Sequence, residues 1–340
     1  METSMPLDNN IVLDIRDLKV YYETDEATFK AVNGVDLLLG KGKTLGLVGE
    51  TGAGKTTTVL SILRLVASPP GVIKSGSITL GGRDILLLSE REMDMIRGNE
   101  VSMIFQDPMT SLNPVLTVGD QIAEVIAVHE DISRTKAMEK ARTMLEHVGI
   151  PRNRADEYPH QFSGGMKQRV MIAIALACNP QLLIADEPTS ALDVTIQAQV
   201  LELMKNLRTI YGTSMILITH DLGIVADVCD EVSIIYAGKI VEHGTLEEIY
   251  EHPMHPYTEG LFNSLPNLAN RKAKLKPIKG LMVDPSNLPK GCAFNPRCEY
   301  ASEVCFVKDP VRRSVSDTHY ICCHAYDQSS FKLGRNIIHD

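Results

Sequence analysis

The sequence predicts an α/β fold built on a parallel sheet and interrupted by a helical insertion, and three observations carry that prediction. Short apolar runs at 181–186 (QLLIAD), 214–219 (SMILIT) and 231–237 (EVSIIYA) are separated by helical segments, the pattern of strands joined by crossover helices. A further run at 44–48 (TLGLV) leads into a glycine-rich loop and then into KTTTVLSILRLV, whose apolar residues keep helical spacing up to the breaker Pro69-Pro70-Gly71. From about Ser89 to Phe162 the pattern is mostly helical, clearest in QIAEVIAVH and TKAMEKARTMLEHVGI, with Pro151 and Pro159 punctuating its end.

The remaining segments complete the order. Residues 11–22 (IVLDIRDLKVYY) mix β-branched and aromatic residues with partial alternation and read as a strand. Beyond about Glu251 the sequence is rich in Pro, Asn, Lys and Cys with weak periodicity, which marks a separate C-terminal extension. The basic run RKAKLKPIK, from Arg271 to Lys279, reads as a solvated linker. No internal repeat is visible.

Composition narrows the function classes. With 44% hydrophobic and 23% charged residues in 340, the chain is of ordinary globular type. A net charge of −9 has the wrong sign for a protein whose main task is to wrap nucleic-acid phosphates. Its longest apolar runs, such as Val170 to Cys178, fall well short of the roughly 20 residues a membrane span needs. Met1 to Asn10 lack the pattern of a secretory signal, so a reducing compartment is expected and the seven Cys need an explanation other than disulfides. Cys178 and Cys229 sit in apolar surroundings as core thiols; the other five follow residue 290 and suggest a metal site.

Residues Gly49, Glu50, Thr51, Gly52, Ala53, Gly54, Lys55 and Thr56 fit G-x-x-x-x-G-K-[ST], with the preceding strand and following helix that the motif requires. Glycines let backbone amides turn toward phosphate oxygens, Lys55 places a charge on the β- and γ-phosphates, and the Thr56 hydroxyl is placed for Mg²⁺. The apolar strand Leu182 to Ala185 ends in Asp186 and Glu187. At that edge of an open α/β sheet, Asp186 can hold Mg²⁺ through water and Glu187 can polarise an attacking water.

The motif Phe162-Ser163-Gly164-Gly165-Met166-Lys167-Gln168-Arg169 resembles the signature sequence of the ATP-binding subunits of ATP-binding-cassette (ABC) transporters. Met166 stands where that family usually has Gln, a departure that leaves the Ser hydroxyl and the two Gly amides in place. Gln106, after the strand VSMIF, resembles the Q-loop glutamine; Ser190-Ala191-Leu192-Asp193 resembles the D-loop; His220 resembles the switch histidine. Tyr22 resembles the adenine-stacking aromatic by its spacing to Gly49, with Tyr21 as the adjacent alternative.

The resemblance implies a P-loop NTPase (RecA-like) core with an antiparallel β subdomain, over residues 1–88 and 167–250. A helical subdomain at 89–166 ends at the signature motif, and the extension occupies 251–340. It implies Glu187, His220, Lys55 and Gln106 as catalytic residues and Thr56, Gln106 and Asp186 around Mg²⁺. ATP is implied to lie on Tyr22, on residues 49 to 57 including Thr57, and on Ser163, Gly164, Gly165 and Asp193. In that family the phosphate loop of one subunit faces the signature motif of another. The single copy of each motif here therefore implies a second ABC ATPase subunit, identical or homologous, and the resemblance implies two transmembrane permeases, an extracytoplasmic solute-binding protein and a place on the cytoplasmic face of the membrane.

The tail narrows the resemblance. His255-Pro256-Tyr257-Thr258, Leu265-Pro266 and the stretch from Leu288 through Gly291-Cys292, Phe294 and Pro296-Arg297-Cys298 resemble oligopeptide and dipeptide importer ATPases. Other solutes, nickel or oligosaccharides, would use the same engine, and a non-transport ABC ATPase acting on DNA or ribosomes is the remaining alternative. Cys292, Cys298, Cys305 and Cys323 supply four soft thiolates, a count that suits an iron–sulfur cluster or zinc. The spacing lacks paired C-x-x-C knuckles and the family tail implies a [4Fe–4S] cluster. It also implies Cys323, before His324, as fourth ligand in preference to Cys322.

Overall fold

The computed structural model of the chain describes residues 10–106, 111–190, 192–264, 276–327 and 333. Its first strands are β1 (Ile11–Glu23), β2 (Thr28–Gly40) and β3 (Thr44–Val48), followed by helix α1 (Lys55–Ile62), β4 (Gly71–Leu80) and β5 (Arg83–Asp84). Next come α2 (Glu90–Ile96), β6 (Val101–Ile104), α3 (Val118–His129), α4 (Arg134–His147) and α5 (Gly164–Leu176). The second half holds β7 (Leu182–Asp186), α6 (Val194–Tyr211), β8 (Ser214–Ile218), α7 (Leu222–Val228), β9 (Glu231–Tyr236) and β10 (Lys239–Thr245). It closes with α8 (Leu246–Glu251), α9 (Pro256–Asn263) and the two-residue strands β11 (Arg313–Ser314) and β12 (Tyr320–Ile321). Ala191 of the motif at 190–193, Leu265, Pro266 and residues 271–275 of the basic run lie outside the described residues.

The chain forms two compact units, the first of residues 1–13, 38–44 and 79–219. Here β6 runs parallel to β7, with Val101 opposite Leu182, and β7 runs parallel to β8, with Asp186 opposite Ile218. Every residue of these three strands is buried, which is why they read as near-continuous apolar runs. Parallel neighbours cannot be joined by a tight hairpin, so α6 carries the crossover from β7 to β8. The helices start where short polar side chains can cap exposed amides. Ser89 and Glu92 form a reciprocal capping box on α2, and Thr117 and Ser133 cap α3 and α4. Helix α5 buries Val170, Ile172 and Ala173 completely, as its apolar sequence requires.

The second unit comprises residues 14–37, 45–78 and 220–340. Strand β3 pairs in parallel with β9, Val48 opposite Ile234, and β9 turns back antiparallel into β10. Ala237 and Gly238, at φ 48° and 74°, make the two-residue turn between them, the left-handed pair that matches strand twist. The C-terminal residues then extend this ladder: β12 lies on β10, with Ile321 opposite Glu242, and β11 lies on β12. Tyr236, Tyr257 and Phe294 pack edge to face or tilted, with ring centroids 4.7–5.4 Å apart, so the extension shares an aromatic core with β9. Strands β2, β4 and β10 were not anticipated from sequence; β2 begins with three exposed residues that break the alternation. Among the described residues no helix is long and apolar enough to cross a membrane.

Candidate nucleotide site and cysteine cavity

The phosphate loop lies in the second unit, between β3 and α1. Its first glycine has no room for a side chain: a Cβ on Gly49 would stand 2.3 Å from the Ile235 carbonyl oxygen. Gly54 combines the same restriction with a left-handed backbone, at φ +104° and 2.3 Å from the Ala31 oxygen. The Gly238 amide at the hairpin tip donates to Ala53 O at 2.9 Å, and the Ala53 amide donates to Glu50 O at 3.1 Å. Lys55 is buried, and its ammonium donates to the carbonyls of Gly49 (2.6 Å) and Glu50 (3.0 Å) across the loop's own turn. Thr51, Gly52 and Thr56 face outward.

Tyr22 reaches this loop's helix, with its hydroxyl 3.3 Å from that of Thr57. The Tyr21 hydroxyl instead donates to Asn33 Oδ1 at 3.1 Å, and its ring lies 6.0 Å under the Lys30 ammonium. Successive strand residues point to opposite faces, which separates the two tyrosines. His220 is exposed at the start of the 220–340 segment, followed by Asp221, whose carboxylate caps α7.

Two further groups of site residues lie in the first unit. At the end of β7, Asp186 is buried, and Glu187 occupies the left-handed region at φ 47°, unusual for a residue with a side chain and common where function imposes strain. Its amide donates to Ile218 O at 2.9 Å, and its carboxylate accepts 2.9 Å from the Gln106 side-chain amide. Ser190 donates to the Gln106 carbonyl at 3.5 Å, so three of the expected residues meet at one strand edge.

The second group joins the signature motif to the start of α6. Ser163 caps α5, its hydroxyl accepting from the Met166 amide, and Gly164 and Gly165 form the helix's first turn. A Cβ on Gly165 would stand 2.5 Å from Ile196 Cγ2, and Asp193 caps the helix that carries Ile196. A serine hydroxyl with two glycine amides at a helix N-terminus can receive an anion. Met166 takes a contact from Arg154 Nη1 at 3.3 Å, and that guanidinium also stacks over Phe162.

The cysteines of the extension are brought together in part. Cys292, Cys298, Cys305 and Cys323 line one cavity with His255, Phe294 and His324, whereas Cys322 lines a different one beside Arg312 and Lys239. The Cys292 amide donates to Cys305 O, and Asn295 Nδ2 bonds the same oxygen, which folds the loop on itself. Burial pushes the Cys298 thiol up to about 11 and Cys323 up to about 12, so the uncharged thiol is favoured. Among the described residues no group of three or more His, Cys, Asp or Glu is arranged to hold a metal ion.

Two contacts at the phosphate loop escaped sequence reasoning. The Glu50 amide donates to the Tyr257 hydroxyl at 2.8 Å, and the Glu50 carboxylate is gripped by Arg297 through both oxygens, at 2.6 and 3.0 Å. Tyr257 and Arg297 stand inside motifs the sequence displays, but no local signal pairs them with residue 50.

Comparison with known proteins gives a consistent picture. A family model described as ABC transporter matches residues 32–190, and one described as Oligopeptide/dipeptide transporter, C-terminal region, matches 241–305. The chain is 52% identical over 313 residues to the oligopeptide transport ATP-binding protein OppD of Bacillus subtilis, covering 91% of this chain and 87% of that one. It is 47% identical over 305 residues to OppD of Salmonella typhimurium, covering 89% and 90%. Among solved structures, the dimeric ATP-binding cassette MJ0796 in a post-hydrolysis state with ADP and Pi matches with a TM-score of 0.62 at 25% identity, over 69% of this chain and 98% of that one.

Proposed function

The chain belongs to the ATP-binding subunits of ABC transporters, in the branch that carries the oligopeptide/dipeptide C-terminal region, and from that membership we propose that it powers the import of oligopeptides. The protein is an ATPase with a P-loop NTPase fold. On our reading it works at the cytoplasmic face of the membrane with a second ATPase subunit, two permeases and an extracytoplasmic binding protein. The observation that carries the proposal is that one chain holds one phosphate loop and one signature serine-glycine-glycine turn, the complementary halves of a site shared between two subunits. We assign residues 1–88 and 167–250 to a nucleotide-binding core, 89–166 to a helical subdomain that ends at the signature motif and couples to the permeases, and 251–340 to the C-terminal extension.

Mg²⁺, when bound with ATP, neutralises developing phosphate charge, and Thr56, Gln106 and Asp186 are the residues that would hold it. The other roles belong to the chain's own groups. Residues 49 to 57 present amides and the Lys55 ammonium to the β- and γ-phosphates, and Tyr22 stacks on the base, a role supported by its reach toward Thr57. Glu187 polarises the attacking water, its carboxylate oriented by Gln106 and by the strained backbone that turns it out of β7. His220 contacts the γ-phosphate. Ser163, Gly164, Gly165 and Asp193 serve the nucleotide held by the partner subunit's loop. Reconstitution with the permeases should give ATP-dependent uptake of oligopeptides; uptake of another solute class, with no peptide transport, would overturn the cargo assignment.

We also propose that the cysteine cavity holds a [4Fe–4S] cluster on Cys292, Cys298, Cys305 and Cys323. Cys292, Cys298, Cys305 and Cys323 line one cavity, Cys305 buried and the others half-buried, and they are the residues that would hold the cluster as thiolates. Zinc on the same four thiolates is the alternative. Anaerobically purified protein should contain iron and acid-labile sulfide. Cys323→Ser should lose most of the iron and Cys322→Ser should keep it. Zinc without sulfide, or loss on the wrong cysteine, would refute the assignment.

A further inference from the structure

We propose that Arg297, in the C-terminal extension, is a positioning residue for ATP binding: it fixes and neutralises Glu50, the one carboxylate inside the phosphate loop. The inference deepens the nucleotide-site assignment above and rests on it. Glu50 is an awkward residue in this place, because the loop must receive the several negative charges of a triphosphate. Arg297 answers that charge with a two-toothed grip on both carboxylate oxygens, the geometry in which guanidinium groups bind carboxylates most strongly.

The grip is itself held. The Arg297 side chain is only 4% exposed, its Nε donates to Lys279 O at 3.0 Å, and its guanidinium lies 5.9 Å from the Tyr236 ring centre. The residue closes the short turn Asn295–Arg297 immediately before Cys298. From there the constraint runs into the loop through Glu50 itself. The Glu50 amide is fixed by Tyr257, and its carbonyl receives both the Lys55 ammonium and the Ala53 amide. Shifting Glu50 therefore shifts the cation and an amide that meet phosphate. Arg297 acts through Glu50, whose carboxylate it holds at both oxygens.

Two mechanisms, order and charge, make a prediction that a merely structural ion pair does not. In the assembled transporter, Arg297→Gln should raise KM for Mg·ATP about tenfold while kcat falls less than twofold, because the loss is in ground-state binding. Glu50→Gln should raise KM by a smaller factor. Combining the two should bring KM back below that of Arg297→Gln alone, since no unpaired carboxylate then faces the phosphates. Arg297→Lys keeps the charge without the fork and should raise KM about threefold. It also serves if the glutamine variant fails to fold. KM within twofold of wild type in every folded Arg297 variant, or effects of the two glutamine changes that simply add, would overturn the proposal.

Amide exchange separates this inference from the assignment it rests on. In the full-length chain without nucleotide, residues 49–56 should exchange faster in the Arg297 variant than in wild type, and unchanged exchange would count against the tether. A wild-type assembly that ignores Mg·ATP would defeat the assignment of the nucleotide site, while faster exchange in the variant would still uphold the tether.

Discussion

Glu187→Gln should leave Mg·ATP bound to the assembled transporter and lower its turnover by about 100-fold or more, the effect expected of removing the proposed general base. The substitution is nearly isosteric, so it keeps the backbone at φ 47° and retains a polar partner for Gln106. What it removes is the negative charge to which we assign the drawing of a proton from water. Steady-state phosphate release and retention of labelled ATP measure the two quantities separately. Turnover within a fewfold of wild type would take the catalytic role away from Glu187. Loss of binding instead would mean that the carboxylate shapes the site without acting on water.

Gly54→Ala should abolish measurable nucleotide binding by the full-length chain, a loss of about 100-fold or more if the loop is displaced by as little as an ångström. The added methyl would meet the Ala31 oxygen at 2.3 Å in a backbone conformation that side chains resist, so both the contact and the φ of +104° must relax. The whole protein should also lose about 1–3 kcal/mol, read as a lower melting temperature. Gly52→Ala is the internal comparison. Gly52 is also left-handed, at φ +83°, but nothing lies within 4 Å of its would-be Cβ. It carries only the conformational cost of about 1–2 kcal/mol, and its nucleotide affinity should fall far less. Equal losses in the two variants would show that backbone conformation, and not the Ala31 contact, governs the loop.

How much of this was legible beforehand depends on whether the information was local. The buried parallel strands announce themselves because each is apolar throughout: 44–48 is identical in sequence and structure, and 182–186 and 214–218 differ from the reading by a single residue. Helix α1 ends at Ile62, short of the expected Pro69, because Leu63 and Arg64 leave the helix and Arg64 turns left-handed at φ 51°. Strand β10 was hidden: its partners lie on both sides, and it contains the bulge between Ile240 and Glu242 that disturbs alternation. Two-residue strands such as β12 carry no period at all. The phosphate loop and signature motif were legible because their chemistry is written in adjacent residues. The hold of Tyr257 and Arg297 on Glu50 was not, because 207 and 247 residues separate the partners.

The same long separation bears on how the protein is made. Residues 79–219, the bulk of the first unit, leave the ribosome as one continuous stretch and can consolidate while synthesis continues. The loop at 49–56 is translated before its partners at 257 and 297, which follow Glu50 by 207 and 247 residues. A nascent polypeptide therefore carries a complete phosphate-loop motif before Tyr257 and Arg297 are present to hold Glu50. Glu50 gains these two holds only after residues 79–219 have been synthesised.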